Sequence, residues 1–152
     1  MTDVVGANPP QIVHKTLRKW RHRIRLGIGI IFIVAGMLHF THAGFFESLV
    51  PDPLHGVRVP INIATGLLTA AIGMAFLVSR LRAVARWVAL TLLAATLPVT
   101  TYRALNRAAA ASVGLSPEML TVAVIAWAFM MALIWWATRT DEDPGRIGTK
   151  VR

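Results

Sequence analysis

Long apolar runs without formal charge alternate along this chain with short, mostly basic segments. Leu26 to Phe46 gives 21 such residues, Val59 to Ser79 another 21, Trp87 to Tyr102 16, and Met119 to Thr138 20. A hydrocarbon core about 30 Å thick is crossed by about 20 helical residues rising 1.5 Å each. Three runs meet that length directly. The third meets it when Arg86 and Arg103 snorkel and lengthen it by a turn at either end. None shows the strict alternation of a barrel strand. The pattern predicts an all-α membrane four-helix bundle over residues 26–138, with spans at about 26–46, 59–79, 84–104 and 119–138. It also predicts a cytoplasmic polybasic tail over 1–25 and a cytoplasmic disordered tail over 139–152. Residues 1–13, with Asn8-Pro9-Pro10, read as a flexible leader.

Polar and small residues within the spans recur at helical spacing. In the second span Asn62, Thr65, Gly66, Thr69 and Gly73 form one stripe, and Gly66 with Ala70 makes a small-xxx-small pair. Gly29, Phe32, Gly36, His39 and Ala43 share a face of the first span, and Thr96, Thr100 and Arg103 one side of the third. Pro98 there frees the carbonyl of Ala94. Ordered by depth, the polar side chains converge on the extracytoplasmic half: His39, His42, Asn62, Thr65, Thr69, Thr100 and Tyr102 are the candidate ligand-binding residues. Prolines at 51, 53 and 60 stiffen the first outer loop, and Ser116-Pro117-Glu118 is a good helix start.

Charge orients these spans. The chain carries 16 Lys+Arg against 7 Asp+Glu, and 13 of the 16 fall in the two tails and the loop holding Arg80, Arg82 and Arg86. The positive-inside rule then places both termini in the cytoplasm. Trp20, Trp87, Trp135 and Trp136 fall at the same interface, where amphipathic rings prefer to lie. The run from Lys15 to Arg25 is read as a topology determinant and an anchor for anionic lipid head groups, not for nucleic acid. At 55% hydrophobic and 15% charged, the composition argues against a soluble enzyme.

Candidate chemistry is sparse. The chain has no cysteine, which excludes disulfides, thiolate nucleophiles and cysteine-held iron–sulfur clusters. Spans two to four contain no histidine, so a haem would lack opposed axial ligands. His39, His42, His55, Glu47 and Asp52 match no metal-ligand signature, and no metal site is expected. The four charge-free runs hold no Asp, Glu, Lys or Arg for a proton relay, and no GxSxG, Walker or GxGxxG motif occurs.

Ala35-Gly36-Met37-Leu38-His39-Phe40, then Phe45-Phe46 and Val50-Pro51, resembles the DoxX-like family of small bacterial membrane proteins. Thr65-Gly66 resembles that family's Ser-Gly in the second helix, Arg80 to Arg86 its short basic inner loop, and Leu97-Pro98 its Phe-Pro in the third helix. The resemblance covers about residues 26 to 136. Thr69 stands where the family often has Glu, Thr100 where it often has Asn, and Leu120 to Val124 replaces its Arg-Leu-Pro-Leu-Gln run. The resemblance implies a four-helix membrane bundle in a bacterial inner membrane, associated in some members with quinone-linked oxidoreductases or membrane redox complexes. The expected function is therefore a non-catalytic membrane subunit or scaffold of a redox-associated complex, with no cofactor of its own. The alternative is a quinone- or lipid-binding oxidoreductase component whose polar pocket lies in the outer half of the bundle. A solute carrier fits least, for want of intramembrane charge and of internal repeats.

Overall fold

The computed structural model describes residues 9–138, and these are helical almost throughout, with no strand among them. Helix α1 spans Pro9–Thr41 and α2 Ala43–Ser48, followed by a 3₁₀ turn at Asp52–Val57. Next come α3 (Arg58–Leu77), a 3₁₀ turn at Ser79–Leu81, α4 (Arg82–Leu105), α5 (Arg107–Ala111) and α6 (Pro117–Thr138). The expected tail over 139–152 lies outside the described residues.

Several boundaries follow from local chemistry. Pro9 and Pro10 sit in the first turn of α1, where backbone N–H groups have no helical partner to lose. The helix then continues through the basic segment, so the leader expected over 1–13 is already helical from Pro9. Lys, Arg and Leu lose little rotamer freedom in a helix, which lets the apolar span propagate backwards through them. The first apolar run breaks at His42, whose backbone leaves the helical region (φ −124°, ψ 41°), so Ala43–Ser48 forms a separate short helix. Ser116 caps α6 as expected, its Oγ accepting from the Met119 N–H at 3.2 Å. Asn106 does the same for α5, accepting from Ala109 N–H at 3.2 Å. Gly114 closes the connection to α6 with φ +69°, a left-handed conformation that a side chain would disfavour.

Four segments are long and apolar enough to cross a membrane: Lys19–Thr41, Arg58–Leu77, Ser79–Leu105 and Pro117–Thr138. Their outward faces carry Ile30, Met37, Leu67, Val84, Ile125 and Phe129, each more than half exposed. An aqueous surface would not tolerate so much contiguous apolar area, whereas lipid solvates it. The chain is a multi-span helical membrane protein.

Within the bundle α1 pairs most closely with α3, and α4 with α6; the α3–α4 and α1–α6 contacts close the square. Adjacent helices run antiparallel, as short connections require. Lipid tails are as apolar as leucine, so the α1–α3 pairing depends on close backbone approach. Glycine provides it. A Cβ on Gly36 would lie 2.6 Å from Ala70 N and 2.7 Å from Gly66 O, and one on Gly73 2.6 Å from Gly29 O. Gly29 and Gly36, like Gly66 and Gly73, are two helical turns apart, so each row presents one small-residue seam.

The main apolar cluster lies toward one end. Ile28, Phe32, Ile72, Phe76, Ala85, Ala89, Ile134 and Ala137 pack together at the end of the bundle where α3 passes to α4 and α6 finishes, hereafter the terminal end. The opposite end, carrying the 49–57 and 106–116 connections, is hereafter the loop end. Reporter fusions at Ser112 and at the C-terminus are expected to mark opposite compartments, the latter cytoplasmic. Equal readings would mean that α6 does not cross the membrane.

Candidate polar centre at the loop end

Toward the loop end buried polar positions join the buried apolar Val50, Ala110, Val113 and Leu120: Asn62 and Thr69 on α3 and Thr100 on α4. Asn62 is 3% exposed and so needs partners for its amide. His39 supplies both. Its Nδ1–H donates to Asn62 Oδ1 at 2.7 Å, and Asn62 Nδ2–H donates to the His39 backbone carbonyl at 2.9 Å. An amide oxygen only accepts, so this pairing requires a proton on the ring Nδ1. The imidazole stacks on Phe46 of α2 with centroids 3.9 Å apart and planes 25° apart. Gly66 makes room, since a Cβ there would lie 2.8 Å from His39 Cβ and 3.1 Å from the Phe40 ring.

The other polar groups turn to backbone. Thr100 Oγ1–H donates to Thr96 O at 3.1 Å, and Thr96 Oγ1–H to Leu93 O at 2.9 Å, within α4 on either side of Pro98. Arg103, in the last turn of α4, donates from Nη1 to Leu49 O at 2.8 Å and thereby ties the proline-rich loop to α4.

Of the seven residues expected to converge, the structure joins His39 and Asn62 by hydrogen bonds, with Thr69 buried and Thr65 half-buried on the same stripe of α3. Thr100 is buried but bonded along its own helix. His42 and Tyr102 are exposed: His42 Nδ1 pairs with the neighbouring Thr41 Oγ1 at 2.9 Å, and Tyr102 Oη accepts from Asn106 Nδ2 at 3.4 Å. The break at His42 explains its departure from the interior face, because helical phase is lost one residue after α1 ends.

An open groove of about 650 Å³ lies instead beside α4, lined by Pro51, Pro53, Pro98, Tyr102, Arg103 and Asn106 among others. Sequence spacing did not show it, because it joins the 49–57 loop to α4 and α5, segments about 50 residues apart. Tyr102, Arg103 and the prolines at 51, 53 and 98 stand out in the sequence singly, without anything that joins them.

These features define a polytopic α-helical bundle with a self-paired polar centre. Residues 28–141 match the family described as Domain of unknown function (DUF8561), and the chain belongs to that family. No curated protein and no solved structure matches it.

Proposed function

We propose that this protein is a non-catalytic, multi-pass subunit or scaffold of a redox-associated complex in the bacterial inner membrane. The observation that carries the reading is the reciprocal His39–Asn62 pairing, in which the histidine of the first span serves to join two helices. Arg103 acts alike in joining α4 to Leu49. The redox association and the membrane of residence rest on the resemblance to DoxX-like proteins: Gly36 and His39, which carry it, are the residues that seat α1 on α3. The bilayer itself and its anionic head groups are the other partners proposed.

Mild extraction from the native membrane followed by mass spectrometry of the intact assembly tests this. A stoichiometric partner protein is the expected result. A bound quinone without any partner protein would overturn it and favour a ligand-binding component, a reading supported by the groove beside Tyr102 and Arg103. In that event Tyr102→Ala should release the ligand, whereas His42→Ala, at an exposed site bonded only locally, should change stability by less than about 0.5 kcal/mol in either case.

A further inference from the structure

The groove at the loop end lies where the lipid-facing side of α4 stops. Thr91, Ala94, Pro98 and Tyr102 are exposed and spaced three or four residues apart, so they follow one another along a single face of the helix. Pro98 and Tyr102 are also walls of the groove. The span ends at Leu105, which sets the groove at the level where hydrocarbon gives way to head groups, the depth at which tyrosine collects.

The polar groups offered there are donors. Arg103 spends one N–H on Leu49 O and makes no other hydrogen bond or ion pair among the described residues. Asn106 Oδ1 is engaged by the Ala109 N–H in the cap of α5, and its Nδ2–H donates to Tyr102 Oη at 3.4 Å. That oxygen accepts, so its own O–H remains for another acceptor. No carboxylate is among the described lining residues.

We propose that this groove holds the head group of an anionic phospholipid, whose acyl chains run along α4 over Pro98, Ala94 and Thr91. A guanidinium fork beside neutral donors suits the several oxygens of a singly charged phosphodiester, whereas a neutral carbonyl would leave the guanidinium charge unbalanced. The attraction is local. Arg58, Arg103 and Arg107 at this end are matched by Glu47, Asp52 and Glu118, so its formal charges cancel and gather no diffuse cloud of anions. The chain's own rival is Asp52, which stands in sequence between Pro51 and Pro53, two residues of the groove wall.

The chain has no cysteine, so Leu105→Cys, at a position 84% exposed beside Tyr102 and Asn106, carries a single fluorophore at this end. The labelled full chain should be placed in phosphatidylcholine vesicles containing phosphatidylglycerol, with one or the other lipid brominated. Contact quenching then reports the lipid at the groove and not the lipid around the basic terminal end. Brominated phosphatidylglycerol is expected to quench better, the more so at low salt. Arg103→Gln should lower that preference about fivefold, the factor given by about 1 kcal/mol per basic residue near an anionic surface. Tyr102→Phe, which keeps the tie from Arg103 to Leu49, should lower it about twofold, as for one neutral hydrogen bond of about 0.5 kcal/mol. Arg107→Gln, outside the groove, should leave it unchanged. Circular dichroism of each variant verifies that the bundle has formed. Equal losses from Arg103→Gln and Arg107→Gln would reduce the effect to diffuse attraction and overturn the site. Competition by glycerol phosphate at matched ionic strength would reassign it to a soluble anion. A groove without preference for either lipid overturns the proposal too, and if Asp52→Asn then creates a preference, that carboxylate is the occupant.

Discussion

Gly36→Ala is expected to weaken the bundle by about 1–3 kcal/mol, the range for overpacking a filled interior. The new methyl would lie 2.6 Å from Ala70 N, 2.7 Å from Gly66 O and 2.8 Å from Ala70 Cβ. Two of those three atoms are backbone, so no side-chain rotation relieves the clash and α1 must move away from α3. Gly73→Ala should behave alike, because Gly29 O and Ile33 N lie within 2.7 Å of its Cβ position. Gly27 is the internal control: it lies in the same helix with nothing within 4 Å of that position. Gly27→Ala should be neutral, or stabilising by up to about 1 kcal/mol through helix propensity alone. Reversible unfolding of the reconstituted protein, followed by helicity, separates the two classes. If Gly36→Ala and Gly27→Ala unfold alike, close glycine packing does not hold α1 to α3.

How much of this was legible in the sequence depends on the range of each interaction. The spans depend on runs of about 20 residues, and the interior stripes on spacings of three and four, so both are local. The α3 stripe faces inward as its spacing predicts: Asn62, Gly66, Thr69 and Gly73 are buried. The Ser116 cap was likewise local and is present. Where readings fell short, the helical phase or a tertiary partner decided. Tyr102 shares α4 with the buried Thr100, but two residues turn it about 200° around the axis, and it is exposed. His42 lost its place through a break that no proline marks. The short helix α5 fell within a stretch read as loop, although Asn106 before Ala108–Ala111 is a capping signal followed by strong helix formers. The His39–Asn62 pair was foreshadowed by depth alone, since 23 positions separate the two residues and nothing local fixes which of them meet.

That pair yields a distinctive energetic pattern. Asn62→Ala should destabilise more than His39→Ala, although histidine has the larger ring and stacks on Phe46. Removing the Asn62 side chain strands two groups at once, the His39 Nδ1–H and the His39 carbonyl. Removing the histidine ring strands only Asn62 Oδ1, because Asn62 Nδ2 still reaches the backbone carbonyl at position 39. Leaving a buried partner unsatisfied costs about 1–3 kcal/mol, although polar contacts between membrane helices average only about 0.6 kcal/mol and reach about 1.7. His39→Ala should therefore cost about 0.6–2 kcal/mol, and Asn62→Ala up to about 3. The double variant should recover about 0.6–1.7 kcal/mol relative to the sum of the singles, since the Nδ1–H···Oδ1 bond is lost only once. Additive single variants would mean that the 2.7 Å contact contributes nothing. If His39→Ala leaves stability unchanged yet releases a bound quinone, the ring's open Nε2 is a ligand contact and the helix-joining role assigned to it fails.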